Sequence, residues 1–368
     1  RSDSLTGHGY STRGLGSNAA ALAYSDRLQK EQRTQIKAIS AELGVTLPVR
    51  YQFTIGVNGV ATSVPYGEVE AIRAMDGVES VYVENQYEPD VDEPNTATAG
   101  TMIGSYNAWA DGYTGAGSRV AIIDTGTDTD HQSFDNGAFL YALKENAEEA
   151  GLSQEAYLAS LNLLDVEELA AVLPQLNVHE RSPQLTAEDL YLNEKLPFGY
   201  NYVDGDLDIT HDHDSAGDHG THVSGIATAN RYVPKDGGFA SAAETVLACG
   251  VAPEAQLLVM KVFGKNGGAY ADDYMAAIQD AISLGCDAIN LSLGSNSPGF
   301  VDPAGSGVAY AERLFQSLTQ TDTVVTISAG NAYSAGFQSA TGTDLHRTSD
   351  PDVDTVGSPG SYENALTV

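Results

Sequence analysis

Four of the chain's eight histidines fall between Ile209 and Gly225, in ITHDHDSAGDHGTHVSG, interleaved with Asp212, Asp214 and Asp218. Imidazole and carboxylate groups this close together could hold a metal, form a solvated acidic loop, or seat one catalytic base. His219 and His222 stand three residues apart and would share a helix face, a spacing metals use. A zinc-protease helix instead carries its histidines four apart with a glutamate after the first, and here Gly220 and Thr221 fill the interval. His211, Asp212, His213 and Asp214 alternate, so an extended chain would turn the histidines one way and the aspartates the other. A solvated loop accounts for these four better than a metal site, and no metal is assigned to the cluster.

Two other polar residues stand where strands end. In RVAIIDTG, Asp124 follows an apolar run and precedes a turn; in VVTISAGN, a strand runs through Ala329 and Gly330 to Asn331. An aspartate in such a place also serves as a plain turn cap. HGTHVSGIATA reads as a helix opening at His219, with Gly220, Ser224 and Gly225 small enough for close approach to a sheet. All three would lie at the carboxyl edge of an α/β sheet, where such folds build their sites.

The elements needed to position them are legible. RVAIID, QLLVMKVF, AINLSL and TVVTISA are short, nearly continuous apolar runs, as expected of parallel strands covered on both faces. Helices are predicted between them at His219–Ala229, Ala271–Leu284 and Val308–Leu318, giving an α/β domain over residues 101–368. Residues 137–205 read as an acidic helical insertion, within which Phe139–Val178, rich in Leu, Ala and Glu, read as two or three helices forming a solvated excrescence.

Upstream the pattern differs. Residues 1–18 read as a polar tail. Residues 19–88 read as a small α+β unit: a helix over Ala20–Leu43, a hairpin in YQFTIGVNGVATSV signalled by Asn58-Gly59, a helix over Tyr66–Met75, and a last strand in VESVYVEN. That order fits a ferredoxin-like sandwich. Residues 89–100, with two prolines and several acids, read as an exposed linker.

Composition narrows the class. Hydrophobic residues make up 42% and charged residues 18% of the 368, an ordinary globular balance. The formal net charge of -32 argues against nucleic acid or an anionic membrane as partner. No apolar run reaches the roughly 18–20 residues that span a bilayer. Cys249 and Cys286 cannot make a disulfide framework and read as two buried free thiols.

Taken together and in this order, Asp-Thr-Gly after a strand, His-Gly-Thr-His-Val-Ser-Gly on a helix and Ala-Gly-Asn after a later strand resemble the subtilisin-like serine proteases. FGYNYVDGDLDITHD, GVAPEAQLLVMKVF and GSPGSYENALTV resemble in particular the cell-envelope, lactocepin-type branch. The resemblance implies a mostly parallel sheet with helices on both faces, preceded by an inhibitory propeptide covering the cleft. It implies Asp124 and His219 as the orienting acid and general base, and Asn331 as an oxyanion donor. An extended polypeptide substrate would pair with Ser292, Leu293 and Gly294 on one side and with Gly268 and Tyr270 on the other, with Ala329 and Gly330 walling the main specificity pocket.

Two departures accompany the resemblance. The family's nucleophile lies in Gly-Thr-Ser, and no Gly-Thr-Ser occurs here. The expectation is that the remainder of a larger protein carries it, with peptide hydrolysis through an acyl-enzyme and a secreted or bacterial cell-surface location. In DTGTDTDHQSF, Ser133 stands where the family's calcium carboxylate would fall, so that site is expected to be missing. Catalysis needs no cofactor, and a structural calcium is left unassigned; Asp350, Asp352 and Asp354 read as a solvated acidic turn. A degenerate peptide-binding module, or a metal-binding protein built on the His/Asp cluster, are the rival readings.

Overall fold

A computed structural model describes residues 3–12, 15–84, 86–89, 99–212, 214–246, 248–298, 308–330, 356–362 and 364–368. The N-terminal unit carries strands β1 (Val49–Phe53) and β2 (Gly59–Thr62), and β3 (Gln86–Pro89) follows it. Then come β4 (Arg119–Asp124), β5 (Phe198–Asn201), β6 (Tyr232–Lys235), β7 (Gly238–Ser241), β8 (Gln256–Lys261) and β9 (Ala269–Tyr270). The last are β10 (Ala288–Leu291), β11 (Leu293–Pro298), β12 (Val324–Ile327), β13 (Gly357–Ser358) and β14 (Leu366–Thr367).

The central sheet has six strands in the order β14-β12-β10-β4-β8-β5, and every pairing in it is parallel. Its alternating residues enter two different cores. Ala121, Ile123, Leu258 and Met260 pack with the helix Ala271–Ser283, whereas Ile122, Leu257 and Val259 pack with Val223 and Ala227 of the helix His219–Thr228. Both faces are therefore covered, which is why the strands read as unbroken apolar runs. This is the expected α/β architecture.

In the N-terminal unit the helix Ala19–Leu43 starts where Asn18 Oδ1 accepts the N–H groups of Ala20 and Ala21, and it stops at Gly44 in the left-handed conformation. Its Leu28 is buried with Tyr51 and Phe53 of β1. The second helix is shorter than expected, Val69–Arg73 after a single 3₁₀ turn. Two other expectations are corrected. The hairpin does not turn tightly at Asn58-Gly59; Phe53 pairs with Gly59, because the Thr54 and Ile55 N–H groups reach out to Gln279 Oε1 at 3.2 and 3.1 Å. Residues 78–84 of VESVYVEN form no strand, and the chain enters one only at Gln86. The polar N-terminal tail packs on this unit over its described residues: Leu5 and Leu15 are buried, and the Leu5 and Thr6 N–H groups donate to Thr54 and Ile55 carbonyls.

The insertion is corrected as well. It is no excrescence: Leu164, Leu169, Leu176 and Val178 join the main core beside Leu258 and Tyr200. Its last residues form β5, the edge strand of the central sheet. Some of its acids sit at a helix start, where Asp165 caps Val166–Val172 and Glu167 and Glu168 fill the first turn, while Glu145, Glu148 and Glu149 lie toward the end of Asn136–Glu149. They report the outer face, and the leucines report the inner one. Cys249 and Cys286 are both free; Cys286 is buried, whereas Cys249 is only half-buried.

Candidate active site

Asp124 is the last residue of β4, flanked in register by Lys261 of β8, and its side chain is 1% exposed. Its Oδ1 accepts the Thr125 N–H at 2.7 Å and lies 2.7 Å from His219 Nδ1. A carboxylate against Nδ1 holds the proton on that nitrogen and makes Nε2 the basic one.

His219 opens its helix, and the contact that seats the helix is backbone on backbone. A Cβ on Gly220 would fall 2.2 Å from the Gly126 carbonyl oxygen and 3.1 Å from Asp124 Oδ1, so only glycine allows the approach. Polar bonds then fix the register. The Gly220 N–H donates to Thr125 Oγ1 at 2.8 Å, and that hydroxyl donates to the Gly217 carbonyl at 3.1 Å. The Thr127 and Ser224 hydroxyls meet at 2.8 Å, and the Asp128 N–H donates to Thr221 Oγ1 at 2.8 Å. The small polar residues of both motifs are thus the fastening between the two arms of the site.

The remaining histidines divide. His222 is half-buried, and burial, with His219 close by, lowers its pKa. His211 lies in the loop leading to the helix, with Nδ1 buried; His213 lies outside the described residues. Among the described residues, no group of three or more His, Cys, Asp or Glu side chains could hold a metal ion. One expectation fails here: Asp214 is not solvated. Its side chain is 3% exposed and its carboxylate bonds Lys261 Nζ, because the loop folds inward over the end of β8.

The chain's own β3 occupies a groove between two strands. Gln86 and Tyr87 pair antiparallel with Tyr270 and Ala269 of β9, while Glu88 and Pro89 pair antiparallel with Gly294 and Leu293 of β11. The segments expected as rails thus lie on either side of β3. Leu293 offers only its backbone, since its side chain is fully buried. Ser292 Oγ accepts a hydrogen bond from Asn290 Nδ2 at 2.9 Å, which fixes the turn between β10 and β11. Gly268, with φ of +76°, precedes β9. Ala329 and Gly330 follow β12; the Ala329 N–H donates to the Val368 carbonyl at 2.7 Å, and Gly330 adopts φ of +93°. Ser328 Oγ donates to the Leu293 carbonyl at 3.2 Å, so this segment is tied to the rail. Asn331 and the acidic turn at Asp350, Asp352 and Asp354 lie outside the described residues.

Sequence reasoning missed Lys261 and Arg50. Lys261 was visible as a lone cation in the apolar run QLLVMKVF, and Arg50 as a cation opening the first strand.

Residues 115–368 match the subtilase family, Peptidase_S8. The PIII-type proteinase of Lactococcus lactis subsp. cremoris is 31% identical over 360 residues, covering 94% of this chain and 16% of that protein. The minor extracellular protease Vpr of Bacillus subtilis is 26% identical over 358 residues, covering 92% and 32% respectively. The C5a peptidase of Streptococcus pyogenes is 29% identical over 265 residues, covering 69% and 18%. The chain thus spans about a sixth of the lactococcal protein's length. With the family match extending over the parallel sheet, the Asp124 turn and the His219 helix, the chain belongs to the subtilase family, in its subtilisin-like, lactocepin-type group.

Proposed function

We propose that this chain supplies the Asp–His half of a serine endopeptidase site, and that its N-terminal unit is the propeptide that occupies the cleft. The 2.7 Å bond between His219 Nδ1 and buried Asp124 carries the reading. His219 would take the proton of an attacking serine hydroxyl and later return it to the leaving amine, while Asp124 stabilises the imidazolium. The serine would belong to a part of the protein outside this sequence, which contains no Gly-Thr-Ser; peptide hydrolysis would then pass through an acyl-enzyme. Asn331 is the proposed oxyanion donor. Substrate would replace β3 between Ala269–Tyr270 and Leu293–Gly294, adding a strand to both rails. No cofactor enters these steps. A secreted or cell-surface location is supported by the lactococcal and extracellular relatives.

The test is casein cleavage by the full-length protein, with fluorophosphonate labelling alongside. His219→Ala should lower turnover by roughly 10⁴-fold or more. An unchanged rate in the variant would end this reading. A full-length protein that neither cleaves nor labels would be a peptide-binding module with a surviving cleft.

A further inference from the structure

Lys261 closes β8 with its side chain 1% exposed, at the strand position that pairs with Asp124 on one side and Asn201 on the other. A buried ammonium must find acceptors, and the three it finds come from the two arms of the site. Nζ donates to the Thr125 carbonyl at 2.8 Å, one residue beyond Asp124. It donates to the Thr210 carbonyl at 2.7 Å and to the Asp214 carboxylate, both in the loop that delivers His219. Thr125 is the hinge of the arrangement, because its N–H donates to Asp124 Oδ1 and its hydroxyl accepts the Gly220 N–H. The loops are also joined directly, the Thr127 N–H donating to the Ile209 carbonyl at 2.8 Å.

We infer that Lys261 is a positioning residue for the Asp124–His219 pair, clamping the aspartate turn and the histidine loop to the end of one strand through Thr125, Thr210 and Asp214. The inference rests on the peptidase reading above. The bonds of Lys261 run to Thr125, Thr210 and Asp214, so its effect on the reaction is geometric. A misplacement of about 1 Å between reacting groups costs on the order of 10²-fold in rate. Substrate pairing along β9 and β11 involves none of these atoms and should be indifferent to the change.

The experiment uses the full-length protein and compares wild type, Lys261→Met, the double variant Lys261→Met/Asp214→Leu, and His219→Ala. Lys261→Met should lower kcat by roughly 10- to 100-fold with KM within about twofold, and should also lower the melting temperature, since Asp214 is left buried without its cation. The double variant removes that orphaned carboxylate, so the melting temperature should recover while kcat stays low. Recovery of kcat together with the melting temperature would overturn the inference, because the lysine would then serve stability alone. If both methionine variants fail to fold, Asp214→Asn, which keeps shape and a polar contact, should show a smaller kcat deficit at unchanged KM; a wild-type kcat there would equally overturn it. Full activity in His219→Ala would sink the peptidase reading itself, whereas a dead His219→Ala beside a fully active double variant would sink only the role of Lys261.

Discussion

Two of the contacts that the N-terminal unit and the following β3 make with the α/β body differ in kind. In the groove, β3 is held by strand pairing with β9 and β11. On the flank, β1 brings Arg50 to the first turn of the helix Ala271–Ser283. There Nη1 lies 2.9 Å from Asp272 and Nη2 lies 2.8 Å from Asp273, whose side chain is fully buried. The Tyr51 hydroxyl donates to the Tyr202 carbonyl and stands 3.1 Å from the same Asp273. Backbone pairing accepts any extended chain of the right length. A guanidinium between two carboxylates accepts one kind of side chain in one orientation. The groove is therefore suited to general occupancy, and the flank to recognising this unit in particular.

The largest effect should come from the flank. Arg50→Met would leave Asp272 and Asp273 facing each other without their cation, a loss of about 3 kcal/mol. It should appear as a lower denaturant midpoint and faster amide exchange in Val49–Phe53. An unchanged midpoint would erase the contrast between the two contacts.

The flank should also respond to pH. Burial pushes the Asp273 carboxyl up to about 7, with Asp272 adding to the rise and Arg50, Tyr51 and Arg181 opposing it. Its pKa in the folded chain thus lies above the ordinary value of about 4, so the folded state holds this proton more tightly than the unfolded one. The contribution of Asp273 is full below pH ~4 and is lost as pH rises through about 7. Protection of β1 should weaken across that window, and Asp273→Asn should flatten this part of the profile. An identical profile in the variant would assign the pH response elsewhere, with Glu84, whose carboxyl is raised by burial and by Asp272, the next group to substitute.

The smallest effect belongs to the groove. Tyr87→Pro removes one strand N–H and should cost about 1 kcal/mol, loosening Gln86–Pro89 while leaving exchange in Val49–Phe53 as it was. A loss that spread to β1 would show that groove and flank open as a single unit.

What was legible in advance follows the same division between local and distant causes. Asp124 and His219 could be picked out because their motifs are dense with residues that chemistry and close packing demand within a few positions: Gly220 for the approach, Thr125 and Thr127 for the fastening. The parallel sheet was legible because burial on both faces leaves only apolar runs. Lys261 and Arg50 were not, since a lone cation acquires meaning only from acceptors far along the chain, 47 residues away for Asp214 and 222 for Asp272. VESVYVEN alternates as a strand should, but alternation does not supply a partner, and none pairs with residues 78–84 among the described residues. The insertion misled through its acids, whose number says nothing about where its leucines point.

The missing side chain of Gly220 has a further consequence. Where two elements meet through side chains, their separation drifts as packing residues grow, shrink or change rotamer. Here the helix bearing His219 rests against the main chain at Gly126, a stop that no exchange of neighbouring core residues can lengthen or shorten. The spacing of Asp124 and His219 is in that sense mechanical, set by a hard surface, and the surrounding core is free to diverge without detuning it.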